Sequence, residues 1–279
     1  MESVLQSRPP GLRRTLGGCS PVLAALIVGA LLFPLAVFAS QATLAWDPSP
    51  DPAVGSYRLY YGNASRDYLG VVEVGDRTTW TVLDLIENLP YFFAVTACDR
   101  YGNESDYSEE VSLTVYEDAE DLSTAGWDFG LGDVGGGEIR NVFDEDLQRR
   151  VIELSGVSRD NCYRLRRNDF TDWNNSTQPT CAWRMRSTDS FVVVLKLATT
   201  VGDLALRYTP DDKGPLLNDV RIRIGLGPET RDGTWRAFVR NLQADLKSVL
   251  PGARLLQVRR LLVQGSCRLT DVKLLSTPP

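Results

Sequence analysis

The stretch ATLAWDPSPDPAVGSYRLYYG, residues 42–62, decides the fold class. Leu44 and Trp46 alternate as a half-buried strand requires, and Asp47–Pro52 is turn chemistry. Tyr57, Leu59 and Tyr61 then alternate against Arg58 and Tyr60. Working outward, Tyr91–Cys98 (YFFAVTAC) is a strand running into a polar turn, and Ser108–Val115 (SEEVSLTV) closes the unit. Strands at this spacing predict a two-sheet sandwich over residues 41–116. Elsewhere Val, Thr, Tyr and Trp recur between Gly, Pro, Asn and Asp clusters, so the whole folded part reads as all-β.

Several of these motifs lie in register with those of bacterial fibronectin type III domains, which residues 42–115 resemble. Trp46 matches that family's buried strand-B tryptophan, and WDPSPDP followed by Tyr57 has its spacing. Leu85, six residues before Tyr91, fits the corner where a tyrosine hydroxyl bonds back to the upstream backbone, and AVTACDRYGNESDYS fits its F strand, F–G turn and start of strand G. The resemblance implies a spacer or a protein-binding module, with Trp46, Tyr91 and Val95 in the core and Asp99, Arg100, Glu104 and Asp106 solvated on the turn. No RGD triplet is present.

Residues 117–279 differ in texture. An acidic joint, Tyr116–Asp121, leads into a stretch, 128–138, that holds five glycines and has little helical potential. Nine strand candidates follow: 150–155, 162–166, 181–186, 191–198, 203–209, 220–226, 235–240, 257–264 and 269–275. That number of short strands predicts a second sandwich, a jelly roll. Leu242–Leu250, with Leu242, Leu246, Val249 and Leu250 on one face, reads as a surface helix ending at Pro251-Gly252.

The block resembles the galactose-binding-like jelly rolls that serve as carbohydrate-binding modules in secreted bacterial proteins. The resemblance rests on its ends, Glu117–Asp121 with Gly126-Trp127 and the closing GSCRLTDVKL of 265–274. GTWRAFVRNLQADL, 233–246, is also similar to a domain of multidomain exported bacterial proteins. It implies a structural Ca²⁺ between the first and last strands, for which Glu117, Asp118, Glu120 and Asp271 are the candidate oxygen ligands; the other reading of these residues is a solvated acidic linker. It also implies a sugar-binding face. Tyr163, Arg166, Asp172, Trp173 and Asn174 lie in and after one strand, and Trp173, in the polar stretch NDFTDWNNST, is the expected stacking platform, with rim packing as its other reading.

The N-terminus points to export. Arg8, Arg13 and Arg14 precede the apolar run PVLAALIVGALLFPLAVF (21–38), which ends in small residues at Ala39-Ser40. Residues 1–40 are therefore expected to be a signal helix, either cleaved or kept as a membrane anchor. Export, whether secreted, periplasmic or to the cell surface, favours disulfides. A Cys162–Cys181 bridge is expected, against the reading that all four downstream cysteines are small buried apolar residues.

Composition narrows function. With no histidine, Ser-His-Asp and Cys-His catalysis are excluded, as are histidine-ligated metals. A formal charge of −6 opposes nucleic-acid binding. A polysaccharide-degrading enzyme would need paired carboxylates, or a Tyr or Lys base with arginines such as Arg164, Arg166, Arg184 and Arg186 beside Tyr208; no diagnostic spacing joins them. The expected function is a non-catalytic exported binding protein whose partner is a polysaccharide or cell-surface glycan, with protein partners reached through the first sandwich. The alternative is a structural or adhesive surface protein without a glycan ligand.

Overall fold

The computed structural model describes residues 40–276 and is all-β, with sheets stacked as sandwiches. The expected leader lies outside the described residues, apart from Ser40. Among the described residues no helix is long and apolar enough to cross a membrane.

The first sandwich contains β1 (Ser40–Ala45), β2 (Val54–Gly62), β3 (Gly70–Gly75), β4 (Thr79–Leu85), β5 (Pro90–Asp99) and β6 (Val111–Glu117). β1 pairs with β4, and β3-β2-β5-β6 form the opposing layer. Alternation supplies the core, since Tyr57, Leu59, Val82, Tyr91, Phe93 and Val115 all point between the layers. The expected corner is present, with the Ile86 amide donating to the Tyr91 hydroxyl at 3.0 Å. Trp46 sits just past β1, half-buried and edge-on to Tyr57 at 5.9 Å. On the turn Glu104 is exposed, as expected, and also tied to neighbouring strands. It accepts from Tyr60, Thr96 and Arg58, each at 2.6 Å.

The second sandwich contains β7 (Trp127–Phe129), β8 (Glu138–Asp144), β9 (Arg149–Ser155), β10 (Cys162–Leu165), β11 (Thr180–Arg186), β12 (Val192–Thr199), β13 (Gly202–Thr209), β14 (Leu216–Asn218), β15 (Arg221–Gly225), β16 (Arg236–Asn241), β17 (Leu255–Gln264) and β18 (Cys267–Leu275). One layer is a seven-stranded sheet ordered β14-β15-β13-β12-β17-β10-β7, here called the closing sheet. Its partner layer contains β16, β11 and β18, with β9 and β8 joined at one end of β18. Between the layers lie Trp183, Met185, Leu195, Leu206, Leu261 and Leu269. β13 and β15 run parallel, while the other pairings of this sandwich are antiparallel. The helix α1 is shorter than expected, Leu242–Lys247, because it stops at Ser248; its start is fixed by Asn241, whose side chain accepts from the Ala244 amide.

The two sandwiches share a sheet. β6 pairs with β5 on one side and β18 on the other, so a nine-stranded sheet, β16-β11-β18-β6-β5-β2-β3, runs through both. The expected boundary at 116/117 falls at the end of that strand. Leu113 and Val115 belong to the first core, while Tyr116 and Ala119 belong to the second. A buried polar clasp covers the join: Thr114 donates to Gln178 at 2.8 Å, and Gln178 donates to Ser112 at 3.1 Å.

The cysteine expectation needs correction. Cys98, Cys162, Cys181 and Cys267 are all free and buried. Cys162 lies in the closing sheet and Cys181 in the shared one, where its side chain joins the core. Gly130 covers Cys162 so closely that a Cβ there would stand 2.6 Å from the sulfur.

Candidate functional site

The open face of the closing sheet follows from alternation. On β12 the residues Val193, Leu195 and Leu197 enter the core, which leaves Val194, Lys196 and Ala198 on the outer face. On β13, Leu204, Leu206 and Tyr208 turn inward and Ala205 and Arg207 outward. Ile222 and Ile224 do the same on β15, exposing Arg221 and Arg223.

Register then aligns these outward residues into rungs across the strands. One rung reads Arg221, Ala205, Lys196, Arg260. The next reads Arg223, Arg207, Val194, Leu262, Arg164, Asp128. Val194 and Ala205 are only 4% and 2% exposed although they face outward, so they form a floor beneath longer side chains. Above Ala205 lies a cavity of about 380 Å³, lined by Arg164, Lys196, Ala205, Arg260, Leu131 and Val220 among others.

The charges of this trough are unevenly matched. Asp128 accepts from both Arg164 and Arg166, Asp203 pairs with Arg259 at 2.7 Å, and Asp172 pairs with Arg260 at 3.2 Å. Among the described residues, no carboxylate lies within ion-pair distance of Lys196, Arg207 or Arg221. Partial burial, then the charges of Arg221, Arg260 and Arg207, hold the Lys196 pKa below the usual lysine value. Burial and Arg221 act on Arg207 in the same direction. The trough is thus a cationic groove with an apolar floor.

The residues expected to bind sugar are placed differently. Trp173 is 1% exposed and stacks on Tyr116 at 4.0 Å and 14° between the rings. The expectation of an exposed platform is therefore corrected: the backbone after β10 folds back onto β17, with the Trp173 amide donating to the Arg259 carbonyl, and this carries the indole inward. Tyr163 is also core, and its hydroxyl donates to the Ser155 carbonyl. Arg166 is held by Asp128, Asp172 stands beside the trough on Arg260, and Asn174 is exposed in a left-handed turn with φ 48°. The sequence reading missed Lys196, Arg207, Arg221 and Arg260. The signal for them was a lysine inside the apolar run VVVLKLAT and arginines alternating with Ile in RIRIG.

The four carboxylates expected to hold Ca²⁺ are drawn towards protein donors. Arg149 bonds Glu120 at 3.0 Å, Asp271 at 3.1 Å and the Asp118 carbonyl at 3.2 Å. Glu117 accepts from the Trp127 indole and the Ala119 amide, both at 2.6 Å. Of the four, the Glu120 and Asp271 carboxylates, from distant segments, meet around the Arg149 guanidinium. No group of three or more acidic or cysteine side chains suited to a metal occurs among the described residues.

Tyr208, Arg184 and Arg186 lie away from the trough. Tyr208 is in the core and donates to Asp245 at 2.7 Å, and burial raises its pKa far above the usual value. Arg184 and Arg186 lie in the other sheet, paired with Asp271 and Asp146. The trough's own acids, Asp128, Asp172 and Asp203, are each bound by arginine.

No protein-family model and no curated protein matches the chain. Among solved structures, an α-L-rhamnosidase from Dictyoglumus thermophilum aligns over 80% of this chain and 23% of its own, at 9% identity and a TM-score of 0.27. The Streptomyces avermitilis α-L-rhamnosidase complexed with L-rhamnose aligns over 86% of this chain and 21% of its own, at 12% identity and a TM-score of 0.24. The chain thus spans less than a quarter of either enzyme, and TM-scores this low establish no shared fold.

Proposed function

We propose that this is a non-catalytic, exported binding protein, in which the first sandwich is a rigid support and the second holds a glycan along the open face of the closing sheet. The supporting observation is the trough over Ala205: with Leu131, Val220 and Leu262 it offers an apolar lining for a sugar ring, bordered by side chains able to donate to hydroxyls. The lack of histidine and the arginine-bound state of every trough carboxylate favour binding over hydrolysis.

Retention of the purified full chain on a polysaccharide panel tests this reading. Ala205→Leu grows into the cavity that Ala205 lines and is expected to abolish retention while leaving the circular dichroism spectrum unchanged. Retention by wild type on no polysaccharide at all overturns the proposal. A structural role then takes its place, for which the sheet shared between the two sandwiches is the favouring observation.

A further inference from the structure

The trough's charge pattern identifies the class of ligand. Lys196 on β12 and Arg221 on β15 are the ends of one run of cross-strand neighbours with Ala205 between them, two strand spacings or about 10 Å apart at the backbone. Arg207 stands one rung along on β13, the strand between them, and so lies diagonal to both. Diagonal cross-strand neighbours are within reach of long side chains. Lys196 and Arg221 thus flank the space above the Ala205 methyl, while the Arg207 guanidinium reaches across β12 to donate to the Gln264 side chain at 3.0 Å.

Such an arrangement costs stability, because like charges opposed across strands repel. Lys196 faces Arg260 directly, and Arg207 faces Arg223. The outer face of the opposite sheet is built differently. There Arg140, Arg184, Arg186 and Arg268 each meet a carboxylate, in a chain through Glu153, Asp144 and Asp146 and at Asp271. The outer face of the closing sheet thus gathers Lys196, Arg207, Arg221 and Arg223 without a carboxylate, in a chain that as a whole is acidic at −6. An anion seated over Ala205 would supply the missing partner.

We propose that the trough binds an acidic polysaccharide, with Lys196 and Arg221 holding one sugar carboxylate over Ala205 and the flanking Leu131, Val220 and Leu262 covering the ring faces. This rests on the glycan-binding reading and adds the charge of the glycan to it. The remaining acidic surface disfavours a densely charged strand such as DNA, which would need a continuous basic track.

The experiment titrates the full chain with polygalacturonate and with its fully methyl-esterified form, which keeps the backbone and masks the charge. Dextran, dextran sulfate and duplex DNA complete the set. Binding to polygalacturonate is expected, weakening with added salt and lost on esterification. Lys196→Gln and Arg221→Gln are each expected to weaken it about tenfold or more, the loss of one charge-assisted hydrogen bond. Both variants should melt at or above the wild-type temperature, since repulsion is relieved, so weakened binding would not reflect unfolding. Binding of dextran sulfate but not dextran, with the same sensitivity to Lys196→Gln, supports the anion site and extends it to sulfate.

Equal binding of polygalacturonate and its ester, or indifference to both substitutions, overturns the anion inference while glycan binding stands. DNA bound as tightly as polygalacturonate overturns the assignment to polysaccharide. Binding to no polysaccharide overturns both proposals.

Discussion

At the scale of single residues, burial decides roles that residue type leaves open. A tryptophan in a run of Asn, Asp and Thr reads equally as a sugar platform or as packing, and the stack of Trp173 on Tyr116 makes it packing. Trp173→Ala removes a fully buried aromatic and is expected to destabilise the protein by about 3–5 kcal/mol. A denaturant midpoint shift checks this, and an unchanged midpoint would contradict the burial. The acidic joint gives a second prediction. Burial, then the charges of Asp118 and Asp121, push the Glu87 pKa up to about 8, and burial and Glu87 raise that of Glu117. In the unfolded chain a glutamate ionises near pH 4.3, roughly the model-peptide value. Between the two values the folded protein binds more protons, so stability is greatest on the acid side and falls as pH rises through that window. Melting temperature should drop between about pH 5 and about pH 8, and Glu87→Gln should flatten the profile. A rise towards pH 8 would show these carboxyls to be ionised in the fold.

At the scale of elements, legibility followed periodicity. All nine strands expected after residue 149 are present, with ends shifted by no more than two residues; eight of them carry buried positions, and the ninth, β16, alternates half-buried with exposed residues. β8 escaped notice since EIRNVFD is exposed or half-buried along nearly its whole length and so carries no strong alternation. β7 and β14, at three residues each, are too short to show a period. The trough illustrates the limit of this kind of reading. Its cations are evident one at a time as polar positions on alternating strands, yet residues 196, 207, 221 and 260 meet only through strand order and register. The parallel β13–β15 pair, which sets Arg221 beside Ala205, has no signature in either strand.

At the scale of the whole molecule, the shared sheet makes the two sandwiches one mechanical body. β6 supplies residues to both cores, and Tyr116 at its end carries the Trp173 stack. A fragment beginning at residue 117 would expose the free edge of β18 and strip Trp173 of its partner. The full chain is expected to unfold in a single calorimetric transition, and the fragment 117–279 to fail to fold or to aggregate through that edge. Two well-separated transitions, or a stable monomeric fragment, would show the sandwiches to be independent. A rigid joint also suits the proposed role, since it holds the trough at a set distance from whatever the first sandwich is attached to.

The sequence by itself determined the all-β class, the first sandwich with its tyrosine corner, and most of the strands of the second. These depend on local alternation and turn chemistry, which are written in neighbouring residues. Only the tertiary structure decided that the sandwiches share a sheet, that Trp173 and Tyr163 are interior, that Cys162 and Cys181 stand on separate layers, and that Lys196, Arg207, Arg221 and Arg260 share one sheet face. Each of these depends on which strands lie side by side and in what register. That is a property of long-range pairing and core packing, and no local stretch of the chain encodes it.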